Sequence, residues 1–528
     1  MVPYKDRKEQ SRNMFYQLDN FLNVRFGTSG VRGLVSDLTD MACYAYVKAF
    51  LQYYVQSRPE RGQHVAVSGD LRSSTSRIIR AVNRAILDSG FVPLDCGRFP
   101  TPTLAHYVMA RNIPGLMVTG SHIPDDRNGI KFFLPSGEIT KQDEQQIREQ
   151  QVEIPDDMFL PDGQLHELFL PDGQLHELLA LRWVETDCGE AAQGYYMRYV
   201  NAFSPNILDG LRIGLYEHSA VGRELLGDLY ESLGAEVLRL GRTIEFVPVD
   251  TESLSPDVEN RVAKWAATCE LDAVLSTDGD SDRPLIFDEH GQWLNGDVIA
   301  TLTAMLLGAQ TVVAPITTSS ILERSKRFAK IIRTKVGSPY VIEAMQQALD
   351  DGDDQVVGFE PNGGFMLATP FDTGRIVRQL QLPEPVTPHI SPLPTRDPVI
   401  VHIAVLAAAR LHQMPLSQLV DLLPPCCKLS DRIPDYANEI SSQMLQQLAG
   451  LKEGTHLTGH SFDKIGTISD VDLLDGVRMT FDNGEVIHLR ASGNAPEFRC
   501  YVEATSLDRS RELLDFSLAE MQAFREQF

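Results

Sequence analysis

Basic residues are scarce in this sequence relative to acidic ones. The 528-residue chain has 48 lysines and arginines against 72 aspartates and glutamates, which gives a formal net charge of -24. Such a charge repels the phosphate backbone of nucleic acids and the anionic surface of membranes at long range. We therefore expect neither nucleic acid nor a membrane as a partner. A small anionic substrate remains possible if basic side chains converge locally in the folded chain.

Cysteine is also sparse, and long apolar runs are missing. The seven cysteines are scattered and have no C-x-x-C spacing, which is typical of a reducing compartment and argues against a disulfide framework or a zinc site. The longest apolar stretch, 399–409, is interrupted by His402 and is shorter than the roughly 20 residues of a membrane-spanning helix. The polar N-terminus lacks the apolar core of a signal peptide. These features predict a cytoplasmic protein.

The length of the chain exceeds what one hydrophobic core supports. Single cores stop growing near roughly 250 to 300 residues, so about three or four domains are expected. Strands alternate with helices in three successive stretches, which predicts α/β domains with mostly parallel sheets. The C-terminal stretch combines a hairpin turn at Asp482-Asn483-Gly484 with a terminal helix, which predicts a smaller α+β domain. We place the domains at 1–185, 186–297, 298–427 and 428–528.

The first domain contains an unusual repeat. Residues 1–20 are predicted to be a polar lead-in and 141–152 a polar helix. The segment FLPDGQLHEL then occurs twice in tandem, at 159–168 and 169–178. Two copies are too few for a solenoid, which needs about three. Because each copy carries a Pro-Asp-Gly turn, we expect a surface loop that was lengthened by duplication.

The stretch 117–131, MVTGSHIPDDRNGIK, ends an apolar strand at a sharp Thr-Gly turn. Ser121 and His122 follow, ahead of Pro124, which prevents a helix from starting. This placement exposes a hydroxyl at the rim of a sheet, where open α/β proteins bind ligands. Ser121, with His122 beside it and Lys131 ten residues on, is a candidate nucleophile or phosphate carrier. Taken alone, Ser-His in a loop is also consistent with a simple polar turn.

Asp278, Asp280 and Asp282 alternate over five residues after an apolar strand. Three carboxylates so close repel one another unless a divalent cation gathers them, and such hard oxygen ligands suit Mg²⁺. A calcium-binding EF-hand is the rival interpretation, because Glu289 falls at its twelfth loop position. The sixth position, however, is Arg283 where an EF-hand requires glycine. The pattern therefore predicts a magnesium site, with Arg283 suited to a phosphate held against the metal.

Further segments suit anions and sugar hydroxyls. Residues 25–33, RFGTSGVRG, combine three glycines with two arginines, so that backbone amides and Arg32 could converge on an anion. Residues 490–499, RASGNAPEFR, offer arginines, a hydroxyl, an amide and unhindered backbone N–H groups to a phosphate that does not react. Glu360 and Asn362 lie on a glycine-flanked turn and could hydrogen-bond sugar hydroxyls. Each segment alone is equally consistent with a surface loop.

Taken together, the motifs FGTSGVRG, TGSHIPDDRNGIK, DGDSDR, GFEPNGG and RASGNAPEFR resemble the α-D-phosphohexomutase family over about residues 22–510. The resemblance implies four domains around a central cleft, three of them α/β with a mixed sheet. It implies an isomerase that moves a phosphoryl group within a hexose phosphate by way of a phosphoserine. Mg²⁺ and a hexose 1,6-bisphosphate, as activator or intermediate, are the implied cofactors. We expect a monomer or homodimer.

The resemblance also assigns roles to individual residues of this chain. The catalytic residues, which carry the phosphoryl group, assist proton transfer or neutralise charge, are Ser121, His122, Lys131 and Arg32. The metal ligands are Ser121, Asp278, Asp280 and Asp282. The residues that bind the sugar or its phosphates are Arg283, Lys335, Glu360, Asn362, Arg490, Ser492, Gly493, Asn494 and Arg499.

Departures from the family pattern bear on the substrate. Gly120 stands where alanine is usual, Asn362 where serine is usual, and Gly364 where histidine is often found. The sequence resembles bacterial mannose-type members and lacks the serine-containing sugar loop of the glucosamine-specific branch. We therefore expect a phosphomannomutase that interconverts mannose 6-phosphate and mannose 1-phosphate, with phosphoglucomutase or phosphoglucosamine mutase activity as the alternative.

Two other classes of function are compatible with parts of the pattern. A non-catalytic relative would bind sugar phosphates as a sensor or scaffold, although a mere binder has no need of Ser121, the aspartates and Lys131. A metal-dependent phosphatase would use Asp278 as its nucleophile and release phosphate.

Overall fold

The computed structural model describes residues 13–27, 30–58, 62–155, 185–187, 189–450, 461–492 and 496–528. Within these ranges the chain forms four sheets of four to eight strands and one two-stranded sheet. The first three large sheets are mixed and alternate with helices, and the last is antiparallel. The predicted class, three α/β domains followed by a smaller α+β domain, is confirmed. The duplicated segment, Gly493 and Asn494 lie outside the described residues, and the domain limits stay predictions.

The first large sheet has a parallel half and an antiparallel half. In spatial order its strands are Glu185–Thr186, Val92–Asp95, His64–Gly69, Gly115–Val118, Arg127–Leu134, Val31–Leu34 and Arg25–Phe26, with Gly137–Glu138 beside Arg127–Leu134. The first four are parallel, and Arg127–Leu134 pairs antiparallel with Gly115–Val118. The helices of this region are Asp40–Ser57, Thr75–Asp88, Thr101–Arg111 and Lys141–Arg148. The turn that carries Ser121 thus lies at the carboxyl edge of the parallel strands.

The second and third sheets share one topology: three parallel strands, the first of them central, and an antiparallel strand at one edge. The second sheet has the order Glu236–Leu240, Arg212–Tyr216, Ala273–Thr277 and Pro284–Phe287. The third has the order Lys330–Thr334, Thr311–Pro315, Val356–Phe359 and Phe365–Leu367. Their helices are Glu190–Ala202, Arg223–Ser232, Pro256–Cys269, Gly296–Leu307, Ile321–Ser325, Ser338–Asp350, Gly374–Gln379, Pro398–His412 and Leu416–Leu419.

The fourth sheet is antiparallel throughout. Its spatial order is Cys427–Ile433, Phe498–Ala504, Val486–Ala491, Val477–Phe481 and Ile468–Asp472. The helices Asn438–Ala449 and Leu507–Arg525 pack on it. Its core is formed by alternate strand residues, such as Val477, Met479 and Phe481, which are buried while their neighbours are half-buried. This period of two is that of a sheet with one covered face.

The largest hydrophobic cluster joins elements of the first three domains. Helix Pro398–His412 lies in it, and its residues from Pro398 to Ala409 are buried. Among the described residues, no single helix has the length and apolar composition to cross a membrane. The pair Pro398–His412 and Leu416–Leu422 meets that test jointly, but its two parts are bent by 88° at the break.

One expectation about the first domain is wrong. The helix predicted at 141–152 ends at Arg148, and Gln151–Pro155 is a strand. This strand pairs antiparallel with Asn13–Gln17, inside the segment predicted to be a polar lead-in. Val152 and Ile154 of the strand are buried, so its alternating pattern belongs to a covered sheet face. A pairing over such a sequence distance leaves no local signal in either segment.

Candidate active site

Ser121 lies in the turn after strand Gly115–Val118, with its backbone in the left-handed region at φ 55°. Its N–H donates to Thr119 Oγ1 at 2.8 Å, and the Thr119 hydroxyl donates to Asp70 Oδ2 at 2.8 Å. Ser121 is 1% exposed, and its own hydroxyl donates to Asp278 Oδ2 at 2.6 Å. A non-glycine residue keeps such a backbone only when its surroundings determine it. The turn is therefore built to aim the Ser121 hydroxyl at Asp278.

A buried arginine that the sequence analysis did not single out holds this turn. The Arg72 guanidinium donates to the carbonyl oxygens of Ser121 at 2.8 Å, Pro124 at 2.7 Å and Arg127 at 3.0 Å, and also to that of Ile123. Its Nε lies 3.1 Å from Asp70 Oδ2, which balances its charge. One guanidinium group, which has five N–H donors, thus holds the backbone of the segment 121–127 at four carbonyl groups.

The three aspartates follow strand Ala273–Thr277 and converge as predicted. Their carboxylates are fully buried, and one oxygen from each lies within 4.8 Å of the others. Asp278 Oδ1 accepts from the backbone N–H groups of Asp282 and Arg283 at 3.1 and 3.2 Å. Oδ1 of Asp280 and Oδ1 of Asp282 are buried and accept no hydrogen bond from the described residues. Buried carboxylate oxygens that accept no hydrogen bond fit a hard divalent cation, so this cluster has the ligands to hold one.

Cationic and hydroxyl groups surround the carboxylates. Lys131 Nζ lies 2.6 Å from Oδ2 of both Asp280 and Asp282, and the Thr101 hydroxyl donates to Asp280 Oδ2 at 2.6 Å. Burial acts to raise the pKa of Asp280, but the Lys131 ammonium, the Thr101 hydroxyl and the Arg396 charge together lower it. Burial raises the pKa of Asp278 well above its usual value, together with the charges of Asp280 and Asp282. Lys131 thus favours the ionised form of Asp280, whereas Asp278 remains subject to the repulsion of its two neighbours.

Further cations lie beside this cluster. Arg283 Nε is 3.9 Å from Asp278 Oδ2 and 3.8 Å from Asp282 Oδ1, and it is buried without a hydrogen-bond partner among the described residues. Burial and the Arg283 charge lower the pKa of Arg32 to about 10. Burial, with Arg283 and Arg32, lowers the pKa of His122 well below its usual value, so its imidazole is neutral at pH 7. His122 Nδ1 lies 3.4 Å from Ser121 Oγ.

The turn between strands Val356–Phe359 and Phe365–Leu367 carries Glu360 and Asn362. Both are buried. Glu360 Oε2 accepts from Arg396 Nη1 at 2.8 Å, and Asn362 Oδ1 accepts from the Gly364 N–H at 2.9 Å. Arg396 also reaches Asp282, which links this turn to the metal cluster. Lys335 is exposed and directly follows strand Lys330–Thr334.

The predicted phosphate loop is described only in part. Arg490 and Arg499 face each other on adjacent strands, and Arg432 continues the row on the next strand. Arg490 Nε lies 2.9 Å from Asp475 Oδ1, and Arg499 Nη2 donates to Glu497 Oε2 at 3.0 Å. The Ser492 N–H donates to the Glu497 carbonyl at 2.9 Å. Asp475 and Glu497 offset part of this charge, but three guanidinium groups on one face of the sheet outnumber these two carboxylates. This row therefore suits an anionic ligand.

The structure brings together Ser121, Lys131, the aspartates and Arg283, and it places Arg490, Ser492 and Arg499 on a separate sheet. Residues that the sequence reasoning missed are Arg72, Thr101, Arg396 and Arg432. Only Arg72 carried a local signal, because it follows Asp70 in a Gly-Asp-Leu-Arg turn at a strand end. Arg396 lies in a proline-rich connection, where nothing in the sequence marks it.

A buried hydroxyl that faces a cation-binding carboxylate cluster, at converging edges of α/β sheets, is suited to carry a phosphoryl group. Fold and site together thus define a phosphoryl-transfer enzyme. Three domain models of phosphoglucomutase/phosphomannomutase match the chain: alpha/beta/alpha domain I over 23–156, alpha/beta/alpha domain III over 295–426, and the C-terminal domain over 444–519. The chain belongs to this family and is a mutase, that is, an isomerase. The predicted family is confirmed.

Named relatives agree with this assignment. A phosphomannomutase of Sinorhizobium fredii is 40% identical over 95% of this chain and 99% of its own length. A phosphomannomutase of Salmonella muenchen is 37% identical over 96% of this chain and 98% of its own length. The structure of a phosphoglucomutase/phosphomannomutase family protein from Burkholderia thailandensis superimposes with a TM-score of 0.68 at 17% identity, covering 94% of this chain and 97% of the other.

Proposed function

We propose that this enzyme is a phosphomannomutase that interconverts mannose 6-phosphate and mannose 1-phosphate. The observation that carries the chemistry is the 2.6 Å hydrogen bond from Ser121 Oγ to Asp278 Oδ2, next to buried carboxylates that suit a divalent cation. The choice of mannose is supported by full-length relatives named phosphomannomutase at 37% and 40% identity. A hydrolytic nucleophile would need a base oriented by a carboxylate, whereas His122 has no such partner among the described residues.

Ser121 carries the phosphoryl group in this proposal. The bond between phosphorus and Ser121 Oγ breaks as a new bond forms to a free hydroxyl of the hexose monophosphate, which gives a hexose 1,6-bisphosphate. The bisphosphate reverses its orientation, and its other phosphoryl group returns to Ser121 Oγ. Asp278, Asp280 and Asp282 would hold Mg²⁺ together with the phosphoserine. The metal would supply charge neutralisation at the transferring group.

Proton transfer falls to the basic groups nearest the carboxylates. Lys131, whose ammonium is fixed by Asp280 and Asp282, can donate a proton to the leaving oxygen. His122 is neutral at pH 7 because burial and nearby guanidinium groups lower its pKa, so a ring nitrogen is free to accept the proton of the attacking hydroxyl. The lowered pKa makes His122 a weak base, so the negative charge of the transferring phosphoryl group would have to stabilise its imidazolium form. Arg32 and Arg283 neutralise charge on the transferring group. The Nε–H group of Arg283 has no hydrogen-bond acceptor among the described residues and can donate to that group.

The remaining site residues hold the parts of the substrate that do not react. Glu360 and Asn362 contact the sugar hydroxyls, with Lys335 nearby. The distal phosphate is bound by Arg490, Ser492, Gly493, Asn494 and Arg499. The row formed by Arg490 and Arg499 supports this assignment, because an anion between the two guanidinium groups relieves their repulsion.

Turnover of mannose, glucose and glucosamine 1-phosphates, with Mg²⁺ and a hexose 1,6-bisphosphate primer, tests the proposal. We expect the largest kcat/KM with mannose 1-phosphate. A wide preference for glucosamine 1-phosphate would overturn the mannose assignment. Mass spectrometry of the enzyme after incubation with the bisphosphate should locate one phosphate on Ser121. An unmodified Ser121 would favour a non-catalytic binder, and rapid release of inorganic phosphate would favour a phosphatase.

A further inference from the structure

Arg396 joins the metal cluster to the turn that carries Glu360. Its side chain is 2% exposed, and its Nε and Nη2 lie 3.0 and 2.8 Å from Asp282 Oδ2. The same guanidinium donates through Nη1 to Glu360 Oε2 at 2.8 Å. Asp282 comes from the second sheet and Glu360 from the third, so one planar cation holds carboxylates of two domains.

The backbone at Arg396 is held in place by the next residue, Asp397, and the helix that follows it. The next residue, Asp397, caps helix Pro398–His412 by accepting from the Val399 N–H at 3.1 Å. The Asp397 carboxylate also accepts from the hydroxyls of Tyr195, at 2.6 Å, and Tyr199, both on a helix of the second domain. Because these groups are buried, the base of the Arg396 side chain is anchored to the second and third domains together.

Gly364 provides the space through which Arg396 passes. A Cβ at position 364 would lie 2.5 Å from Arg396 Cδ and 2.7 Å from its Cγ, well inside any tolerated contact. The backbone of Gly364 is not in the left-handed region, so its conformation alone does not require glycine. The departure from the family pattern at Gly364 therefore has a packing cause. Gly364 and Arg396 form a matched pair.

The hydrogen bonds of Arg396 determine which oxygens stay available for ligands. Asp282 Oδ2 accepts from Arg396 and Lys131, while Asp282 Oδ1 is buried and accepts no hydrogen bond from the described residues. At Glu360, Oε2 is engaged by Arg396, and no described residue donates to Oε1. Groups that hydrogen-bond a metal ligand orient it and tune its affinity.

We propose that Arg396 is a positioning residue that couples divalent-cation binding at Asp282 to sugar-phosphate binding at Glu360. It holds Oδ2 of Asp282 so that Oδ1 faces the cation, and it holds Oε2 of Glu360 so that Oε1 faces the sugar. Since the guanidinium is planar and its donors have a fixed spacing, both carboxylates keep one relative position. Binding at either carboxylate then favours binding at the other, and this coupling is reciprocal. The predicted coupling between the two sites rests on the proposed function, because it requires a sugar phosphate to bind at Glu360.

The test measures Mn²⁺ affinity by electron paramagnetic resonance, with and without the hexose 1-phosphate that the enzyme turns over best. Arg396→Gln should weaken Mn²⁺ binding by roughly 10- to 100-fold and remove the effect of the sugar phosphate on it. Arg396→Lys should restore part of the Mn²⁺ affinity but not the coupling, because lysine cannot span both carboxylates. Glu360→Gln should keep most of the Mn²⁺ affinity and lose the coupling. The matched control is Arg375→Gln, an exposed arginine of the same domain that bonds the Leu306 carbonyl.

Gly364→Ala keeps every charge and tests the proposal if Arg396→Gln fails to fold. The added Cβ should displace the Arg396 side chain and reduce the coupling. The proposal would be overturned if Arg396→Gln and Gly364→Ala both kept the Mn²⁺ affinity and the coupling of the wild type. It would also be overturned if the control Arg375→Gln lost Mn²⁺ affinity and coupling to the same extent as Arg396→Gln. Mn²⁺ affinity without sugar does not depend on which hexose is the substrate. A failed substrate assignment is therefore distinguishable from a failed role for Arg396.

Discussion

The hydroxyl of Ser121 donates a 2.6 Å hydrogen bond to Oδ2 of Asp278, a residue 157 positions away on a different sheet. This contact exists only while the serine is unmodified, because a phosphoserine has no proton on Oγ. A phosphate in that place would face a carboxylate, and two anions at such a distance repel strongly in a buried site. A cation between them would remove this repulsion. The Ser121–Asp278 pair thus accounts for a cation site beside the phosphate carrier.

Ser121→Ala should abolish turnover while leaving the fold intact. The change removes the only atom that can carry the phosphoryl group in the proposed mechanism, and we expect kcat to fall by about 10³-fold or more. Coupled assay of hexose 6-phosphate formation measures the loss, and mass spectrometry measures phosphate incorporation. Ser219→Ala, a buried serine of the second domain outside the cluster, is the matched control. Residual phosphorylation and turnover in Ser121→Ala would assign the carrier role elsewhere.

Removal of divalent metal should stop the reaction reversibly. With a chelator present, the negative charge of a phosphate on Ser121 would face the buried carboxylates of Asp278, Asp280 and Asp282 without a divalent cation, so turnover should be lost and return with Mg²⁺. Asp280→Asn should weaken metal binding by at least tenfold, as measured by calorimetric titration. Asp288→Asn, in the hairpin beyond the cluster, serves as control. Full activity after exhaustive chelation would argue against the cation site.

Arg72→Lys should damage both stability and catalysis. Lysine cannot replace a guanidinium that bonds several backbone carbonyls and Asp70, so buried oxygens lose their donors, at a cost of about 3 kcal/mol. The Ser121 turn should lose its fixed geometry, and kcat should fall more than KM rises. The control is Arg77→Lys, which breaks bonds to Asp40 and to carbonyls away from the site. Arg77→Lys should lower the melting temperature with little effect on kcat.

Stability should fall as the pH drops from about 6.5 toward 4. Burial lowers the pKa of His218 and His488 to about 4 and that of His402 to about 3. In the unfolded chain the pKa of histidine is about 6.5, so the unfolded state takes up protons first as the pH falls. The contribution of these histidines to the free energy of unfolding is therefore fully present above about pH 6.5. It is lost as the pH falls toward their pKa values in the folded state, by up to about 3 kcal/mol per histidine.

Scanning calorimetry between pH 7.5 and 4.5 measures this effect. His488→Gln preserves a donor for the Asp475 carbonyl, which His488 Nε2 contacts at 2.7 Å, but does not titrate. Its melting temperature should depend less on pH than that of the wild type. Melting temperatures that stay constant over this range would contradict the prediction.

Arg499→Gln should weaken substrate binding more than catalysis. A charge-assisted bond to phosphate is worth about 1.5 to 3 kcal/mol, so KM should rise about 10- to 100-fold with a smaller change in kcat. Arg509→Gln is the control in the same domain, because Arg509 lies on helix Leu507–Arg525 and pairs with Glu485 and Glu512. Equal KM values in the wild type and Arg499→Gln would remove Arg499 from the distal phosphate site.

Much of the fold and part of the site could be predicted from local patterns. The alternation of strands and helices predicted three α/β domains, and the alternating aspartates at 278–282 predicted a cation cluster without reference to the rest of the chain. The limits of this approach show at strand Gln151–Pro155, whose first two residues were predicted to end a helix and whose strand partner begins at Asn13. They show again at Arg396, whose two partners lie 114 and 36 residues away.

The sequence by itself determined the family, the sheet-edge turns and the residue types that can carry phosphate, bind a cation or neutralise charge. These properties depend on chemistry within a few neighbouring residues, which a chain displays in its order. Only the tertiary structure decided that Ser121 faces Asp278, that Arg72 fixes the serine turn, and that Arg396 joins Asp282 to Glu360 through the space left at Gly364. Such contacts arise when separate sheets pack together, and the burial that gives them their strength does not exist until the domains have assembled.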